Sequence, residues 1–580
     1  MRSGKIKLEH GLYGLALMIA LLIRFLSLGT LPLTNYEAGF ALQAFNLSRG
    51  LHPLIGPQPG YILLTTALFF MLGSGVFLAR FWAALVGSLL VLAPSLFHQK
   101  IGRQTAILLA FFLAFDPGLV AMSRQADGTL LAITFSIFTI GFFLKRKPIF
   151  MGISAGLALL GGTAIWPGIA SLVIAFFWTT YSRRNRKDHQ KGLSSQDILA
   201  GQAETVEPFS WMIALAWAVG TIFFIGTLFF TFPQGLSAMA YSLVYYIKGW
   251  GLPTGISPLE MLASLVVYTP IGLILGLWGV AAGLMHKDQT DLFLARWLLL
   301  ALLLAFFYPA RQMGDLVWIM LPMWALAARQ VYRVISARLD NWFPSLGQAV
   351  LVFILLVFGW MNIGWFTQPV TGSNEVSLRL AAVIGALILI LLIAILVAWG
   401  WSIQASGEGA FWGFTLFLLL YSLSATWNGA GMGRLPGAEL WRTGSYVKQG
   451  DQLMRTLGDV SEWHSGRRDS LDLIVVNPSE PALQWLLRNW RHVRYLDTLP
   501  LNEKPSLIIT STQQPPSLAA AYTGQGFTMG ESPAWEVATT IDLLRWLLYR
   551  EIGSEKTGIV LWVRTDLFPG AAQNPINPLP

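Results

Sequence analysis

Apolar runs of spanning length recur near residues 11–28, 78–97, 104–122, 128–145, 148–163, 165–181, 209–231, 257–284, 291–308, 315–333, 345–366, 377–401 and 409–426. As helices they predict thirteen crossings of a bilayer. The run at 59–74 is shorter and bounded by Pro57, Pro59 and Gly73, so it is expected to enter one leaflet without a crossing of its own. Between the first two spans, Phe40, Ala41, Ala44, Phe45 and Leu47 have the spacing of a short amphipathic helix on the membrane surface. After about Trp427 the pattern changes. Apolar β-like runs at Leu471–Val476 and Ser506–Thr510 flank a helical pattern at Pro481–Trp490 and a short strand at Val493–Leu496. A helix at Thr540–Tyr549 and a strand at Gly558–Val563 follow, and the proline-rich end from Pro569 is expected to fray. Strand and helix alternating in this way read as a small α/β domain with a partly parallel sheet.

Composition agrees with a membrane protein: 54% of the 580 residues are hydrophobic and 12% charged, against about a quarter charged in soluble globular proteins. Cysteine is absent, which excludes disulfides, thiolate metal sites and a cysteine nucleophile. The +9 net charge gathers in short loops, at Lys145-Arg-Lys147, Arg183–Lys187 and Arg329, Arg333 and Arg338. This is the pattern of membrane orientation and not of nucleic-acid binding. Those loops are placed in the cytoplasm, with a cytoplasmic amino terminus, a retained first helix and an extracytoplasmic carboxyl terminus. The expected architecture is a polytopic α-helical membrane domain over 1–430 and a small extracytoplasmic α/β domain over 431–580. Residues 183–209 read as a flexible cytoplasmic connector. The aromatic-rich stretch 232–256, with Tyr241, Tyr245, Tyr246 and Trp250, reads as an external loop at the interface, an anchor or a lipid contact.

Candidate chemistry lies at span ends on the external side. Glu37 opens the amphipathic segment, and a carboxylate at a bilayer boundary is a functional candidate; the alternative is a first-turn acid with Thr34 or Asn35 as helix cap. Asp127 precedes a span in Ser123-Arg124-Gln-Ala-Asp127, where it is a second candidate acid or the cap of the following helix. Arg311 and Asp315, in Tyr308-Pro-Ala-Arg-Gln-Met-Gly-Asp315, are external too, and a guanidinium there suits a lipid phosphate. Arg124 is a further phosphate candidate or an interface anchor, and the side of the membrane taken by Arg80 is open. No glycine-rich phosphate loop follows a strand, and no His/Asp/Glu cluster has metal-ligand spacing, so no metal site is expected and no cofactor is specified.

The order of these motifs resembles the GT-C superfamily of membrane glycosyltransferases, especially the protein O-mannosyltransferase and lipid A aminoarabinose transferase branch. The matching parts are Asn35-Tyr-Glu-Ala38, Pro59-Gly-Tyr-Ile-Leu-Leu64, Ala79-Arg-Phe-Trp-Ala-Ala-Leu-Val-Gly87, Ser123-Arg-Gln-Ala-Asp127, Gly152–Leu159 and Asp315–Pro322. They cover roughly residues 10–335. The resemblance implies a sugar donor linked to polyprenyl phosphate, transfer on the outer face of the cytoplasmic membrane, and inversion at the anomeric carbon. It implies Glu37 and Asp127 as catalytic acids and Tyr36, Arg124, Arg311 and Asp315 as substrate-binding residues. Where the family carries Asp-Glu this chain has Tyr36-Glu37, so either Glu37 or Asp127 takes the base role or the chain is inactive as a transferase. The alternative function is a non-catalytic or lipid-flipping component of envelope glycan assembly. Sugar, acceptor and oligomeric state are not encoded in any motif.

Overall fold

A computed structural model describes the chain apart from residues 1, 192–208, 254, 337–341, 368–372, 434–438, 443, 446, 478–479, 501, 512–519 and 569–580. Most of the 183–209 connector, Arg338 and the proline-rich end thus lie outside the described residues. Every predicted span carries helix. The first half contains α1 (Arg2–Phe25), α2 (Asn35–Ser48), α3 (Pro59–Leu72), α4 (Val76–Leu89), α5 (Pro94–Ile101), α6 (Arg103–Phe115), α7 (Pro117–Ser123), α8 (Thr129–Leu144), α9 (Pro148–Leu160) and α10 (Ile165–Lys191). Then come α11 (Trp211–Gly226), α12 (Gln234–Lys248), α13 (Pro258–Tyr268), α14 (Pro270–His286), α15 (Gln289–Phe307), α16 (Val317–Ser336), α17 (Trp342–Trp365), α18 (Ser373–Gly400) and α19 (Ile403–Gly429). Among the described residues seven helices are long and apolar enough to cross a membrane, or nine if each of two bent pairs counts as one span; α3, α8, α9 and α11 are shorter apolar helices. The protein is a polytopic helical membrane protein with a small C-terminal sheet.

The bends have a chemical cause. Pro117 breaks the third predicted span into α6 and α7 at 58°, and Pro270 breaks the eighth into α13 and α14 at 94°, because proline lacks the N–H that continues the helical ladder. At the first break the carbonyl of Leu113, which would pair with residue 117, accepts instead from Arg24 Nη2 at 3.1 Å, and Ala114 O accepts from Arg24 Nη1 at 3.2 Å. Asp116 caps α7 by accepting from Leu119 N at 2.6 Å and takes the Trp324 indole N–H at 2.6 Å. Both Nη atoms of the fully buried Arg24 are therefore engaged at the helix break. Arg124, just past α7, donates to the carbonyls of Ile23, Arg24, Leu26 and Ser27 at the end of α1, at 2.8–3.1 Å. Each helix satisfies the other's unpaired carbonyls, and the loop after α7 is fixed in place.

The stretch 232–256, expected to be a loop, contains α12, which leaves Tyr241, Tyr245, Ile247 and Trp250 exposed nearby. The α3 helix has 14 residues, about 21 Å long and short of the ~30 Å hydrocarbon core.

The C-terminal part adds α20 (Gly450–Ser465), α21 (Pro481–Leu487) and α22 (Thr540–Tyr549) to β1 (Leu473–Val476), β2 (Val493–Leu496), β3 (Leu507–Thr510), β4 (Tyr522–Pro533) and β5 (Ser554–Arg564). Strand order is β2-β1-β3-β5-β4, with β1 parallel to β2 and β3, and β5 antiparallel to β3 and β4. Its core, including Leu453, Leu473, Leu507 and Leu561, is continuous with Ala38, Ala41 and Phe45 of α2 and Tyr61 of α3. Trp485 of α21 meets Phe45 edge-on and Phe69 at a tilt, and Arg488 lies over Trp485 while bonding Ser74 Oγ at 3.1 Å. This module thus rests on the amphipathic α2.

Candidate functional site: an acid and an arginine in one cavity

Three irregular segments meet at the amino end of α2: the turn before it, the loop 124–128 between α7 and α8, and the turn 308–316 before α16. Thr34 and Glu37 form a capping box, in which Glu37 N donates to Thr34 Oγ1 at 3.3 Å and Thr34 N donates to Glu37 Oε2 at 2.9 Å. The same carboxylate accepts Arg80 Nε at 2.7 Å on Oε1 and Arg80 Nη2 at 2.8 Å on Oε2, and Oε1 also accepts Ala126 N at 2.9 Å. All of its roughly four acceptor positions are occupied. Burial would raise its pKa, yet the Arg80 charge and these donors hold it below the ordinary carboxylate value. Arg80, whose side was open in the sequence, lies here, with its remaining N–H groups on the carbonyls of Leu28, Leu31 and Pro32.

Asp127 follows the residue that Glu37 holds. Its Oδ1 accepts Thr129 N at 3.1 Å and its Oδ2 accepts Thr129 Oγ1 at 2.9 Å, which among the described residues leaves lone pairs free on both oxygens. It lines a cavity of about 170 Å³ together with Tyr36, Gln125, Thr129, Arg311 and Gln312. Burial pushes its pKa up to about 7, against the pull of the Thr129 donors and with a further push from the Glu37 charge. Arg311, which lines the same cavity, is tied to the 256 turn by Nη1 on Ile256 O at 2.9 Å and by its own carbonyl on Ile256 N at 3.1 Å. Among the described residues its buried Nε has no hydrogen-bond partner. A buried guanidinium N–H without an acceptor is costly unless a ligand supplies one.

Tyr36 reaches the same cavity, with its hydroxyl donating to Gln312 Oε1 at 3.4 Å and its ring edge-on to Phe40 at 5.2 Å. Asp315 is not among the cavity residues and accepts Gln312 N at 2.9 Å in a second capping box. Arg124 is not among the cavity residues: it faces a separate small pocket with Glu37, Arg80 and Arg442. The structure thus brings Tyr36, Asp127 and Arg311 into one space, leaves Asp315 outside it, and directs Glu37 and Arg124 elsewhere. Among the described residues no group of three or more His, Asp or Glu side chains converges as a metal-binding set.

Three glutamines went unremarked in the sequence. Gln125 and Gln312 line the cavity, and Gln125 Nε2 donates to Trp441 O at 2.5 Å. Gln58 Oε1 accepts Gly128 N at 2.7 Å, holding the far side of the Asp127 loop. The signal for Gln58 was its isolation, a lone amide between Pro57 and Pro59 in an apolar stretch. The C-terminal module closes over this end of α2, where Asn35 Nδ2 donates to Ser445 Oγ at 3.1 Å and Asn35 Oδ1 accepts Ala482 N at 3.0 Å.

No protein-family model and no curated protein sequence matches the chain. Solved structures do. The ArnT protein of Cupriavidus metallidurans bound to undecaprenyl phosphate is similar with a TM-score of 0.55 at 12% identity, over 96% of this chain and 99% of that one. Its apo form is similar with a TM-score of 0.50 at 13% identity, over 87% and 93% of the two chains. End-to-end coverage at this identity shows a shared fold: the chain has the fold of these ArnT structures.

Proposed function

We propose that the chain is a membrane glycosyltransferase that moves a sugar from a polyprenyl-phosphate donor to an acceptor hydroxyl, with inversion. The observation that carries this reading is the pairing of Asp127 and Arg311 on the walls of one small cavity otherwise lined by neutral side chains. A carboxyl with a pKa of about 7 is matched to a proton that must be taken up near neutrality. As the acceptor oxygen bonds to the anomeric carbon, Asp127 takes its proton. The bond from that carbon to the phosphate oxygen breaks, and the polyprenyl phosphate leaves with the electron pair. Arg311 meets the charge that develops on the phosphate, which is where a fixed cation contributes most. Tyr36, Gln125 and Gln312 supply neutral donors and acceptors for sugar hydroxyls.

In this proposal Glu37, offered by the sequence as an equal candidate for the base, is a positioning residue. It holds Ala126 and through it the Asp127 carboxylate, as Gln58 does from Gly128. Asp315 orders the Gln312 turn, and Arg124 orders the α1 end. The likeness to ArnT, which was solved with undecaprenyl phosphate, supports a polyprenyl-phosphate lipid as partner. The reading also carries the division into 1–430 and 431–580, a multi-pass location in the cytoplasmic membrane with the amino terminus inside, and a site on the extracytoplasmic face. A lipid-flipping role draws no support from Arg24, whose outer N–H groups are used on backbone carbonyls.

The test is binding of the product lipid. Polyprenyl phosphate added to purified protein in nanodiscs should protect it against heat, and Arg311→Lys should lose most of that protection while keeping the unliganded melting temperature. Equal protection of both proteins by the neutral polyprenol would remove the phosphate from the site.

A further inference from the structure

The C-terminal module carries an apolar surface that its own core does not use. In α22, Ile541, Leu543, Leu544, Leu547 and Leu548 form one continuous arc, with Asp542 and Arg545 on the other side. Trp546 is buried against Trp535 and Tyr268, but Ile541 is 57% exposed and Leu543 45% exposed. Val537, in the turn just before the helix, is also exposed. Exposed large apolar side chains next to one another mark an interaction surface when a partner is within reach.

The position of α22 identifies the partner. Arg545 Nη2 donates to Thr367 O at 2.6 Å and the Tyr549 hydroxyl donates to Gly364 O at 3.4 Å, both at the end of α17. That end of α17 exposes Met361 and Trp365, and the neighbouring end of α19 exposes Trp427. Tryptophans at the ends of apolar spans mark the headgroup level of a bilayer. Ile541 and Leu543, the exposed members of the α22 arc, therefore continue the lipid-facing belt of α17 and α19. Leu547 and Leu548 also line a cavity of about 180 Å³ with Val357, Phe417 and Leu420 of those two helices. A short helix with one apolar and one polar face at this level is in the regime of an interfacial helix.

We propose that α22 is an interfacial helix that seats the C-terminal module in the bilayer, with Val537, Ile541 and Leu543 in contact with lipid. The membrane thereby adds a further attachment to the module's protein contacts with α2, α13 and α17. This inference does not depend on transferase activity.

The chain has no cysteine, so single cysteines can be placed and spin-labelled without removing any. Ile541→Cys and Leu543→Cys would be labelled in full-length protein in lipid nanodiscs. Met361→Cys on the lipid belt and Asp459→Cys on the module surface serve as references. Collisions with oxygen, which partitions into lipid, and with a water-soluble nickel chelate would be measured at each. Labels at 541 and 543 should match 361, with oxygen collisions dominant and nickel collisions severalfold below those at 459. Nickel accessibility equal to that at 459 would overturn the proposal. Low collision rates with both reagents would overturn it too, because they would mean that protein, a second copy included, covers the face.

Discussion

Arg80 grips Glu37 through two N–H···O bonds of 2.7 and 2.8 Å, and the same carboxylate holds Ala126 N one residue before Asp127. The pair ties the start of α2 to the Asp127 loop, so the sharpest acid in the sequence acts at one remove from the cavity. Removing one partner of a buried ion pair strands the other charge and costs about 3–5 kcal/mol. Glu37→Gln and Arg80→Leu should each lower the melting temperature strongly, and the double variant should lose less than the sum of the two, as read by a thermal double-mutant cycle.

The sign of the pH dependence separates the two acids. Glu37 is held below the ordinary value of 4.5, so its stabilising contribution is present above that pH and is lost as pH falls through its folded value. Wild-type protein should therefore lose stability on acidification more steeply than Glu37→Gln, in melting curves taken from neutral pH downward.

Asp127 behaves oppositely. Its pKa rises from 3.8 to about 7 on folding, so the stability it contributes is full below the lower value and is lost as pH rises through the upper one. Asp127→Asn cannot ionise and keeps an oxygen for the Thr129 amide. The melting temperature of Asp127→Asn relative to wild type should climb between these two values and level off above the upper.

Trp441 is fully buried and packs on Gly118, where an added Cβ would meet its ring at 2.6 Å. Gly118→Leu should therefore force the two apart and destabilise the protein, while Trp441→Ala opens a void at a cost of about 3–5 kcal/mol. Either effect is measurable by thermal unfolding.

The membrane part was legible because spanning helices must be long and apolar. What was not legible is where they break and what the breaks present. Pro117 and Pro270 are visible in the sequence, but the 58° and 94° angles are not, and neither is Arg24 as the donor to the carbonyls freed at the first break. The stretch holding α12 looked like a loop because its aromatics obscure a helical period. In the C-terminal part the central strands were apolar and evident. β4, rich in Gly, Thr and Gln, was missed because it is a strand through its ladder with β5 and not through its own propensity. α20 has no counterpart among the elements expected from the sequence, although Leu453, Leu457 and Val460 stand at helical spacing and are buried. At the site, Arg124 and Asp127 share one loop yet face different spaces, because an irregular loop has no period from which direction can be inferred.

The central claim is that Asp127 removes the acceptor proton in the cavity it shares with Arg311. It is tested most directly by sugar transfer from a radiolabelled polyprenyl-phosphate donor, comparing purified wild type with Asp127→Asn across pH. The account predicts that wild-type kcat/KM rises through an inflection near 7, the value set by burial of Asp127. It predicts that Asp127→Asn still binds the lipid but is slower by about 10²-fold or more. Turnover by Asp127→Asn equal to wild type, with the same pH profile, would contradict it.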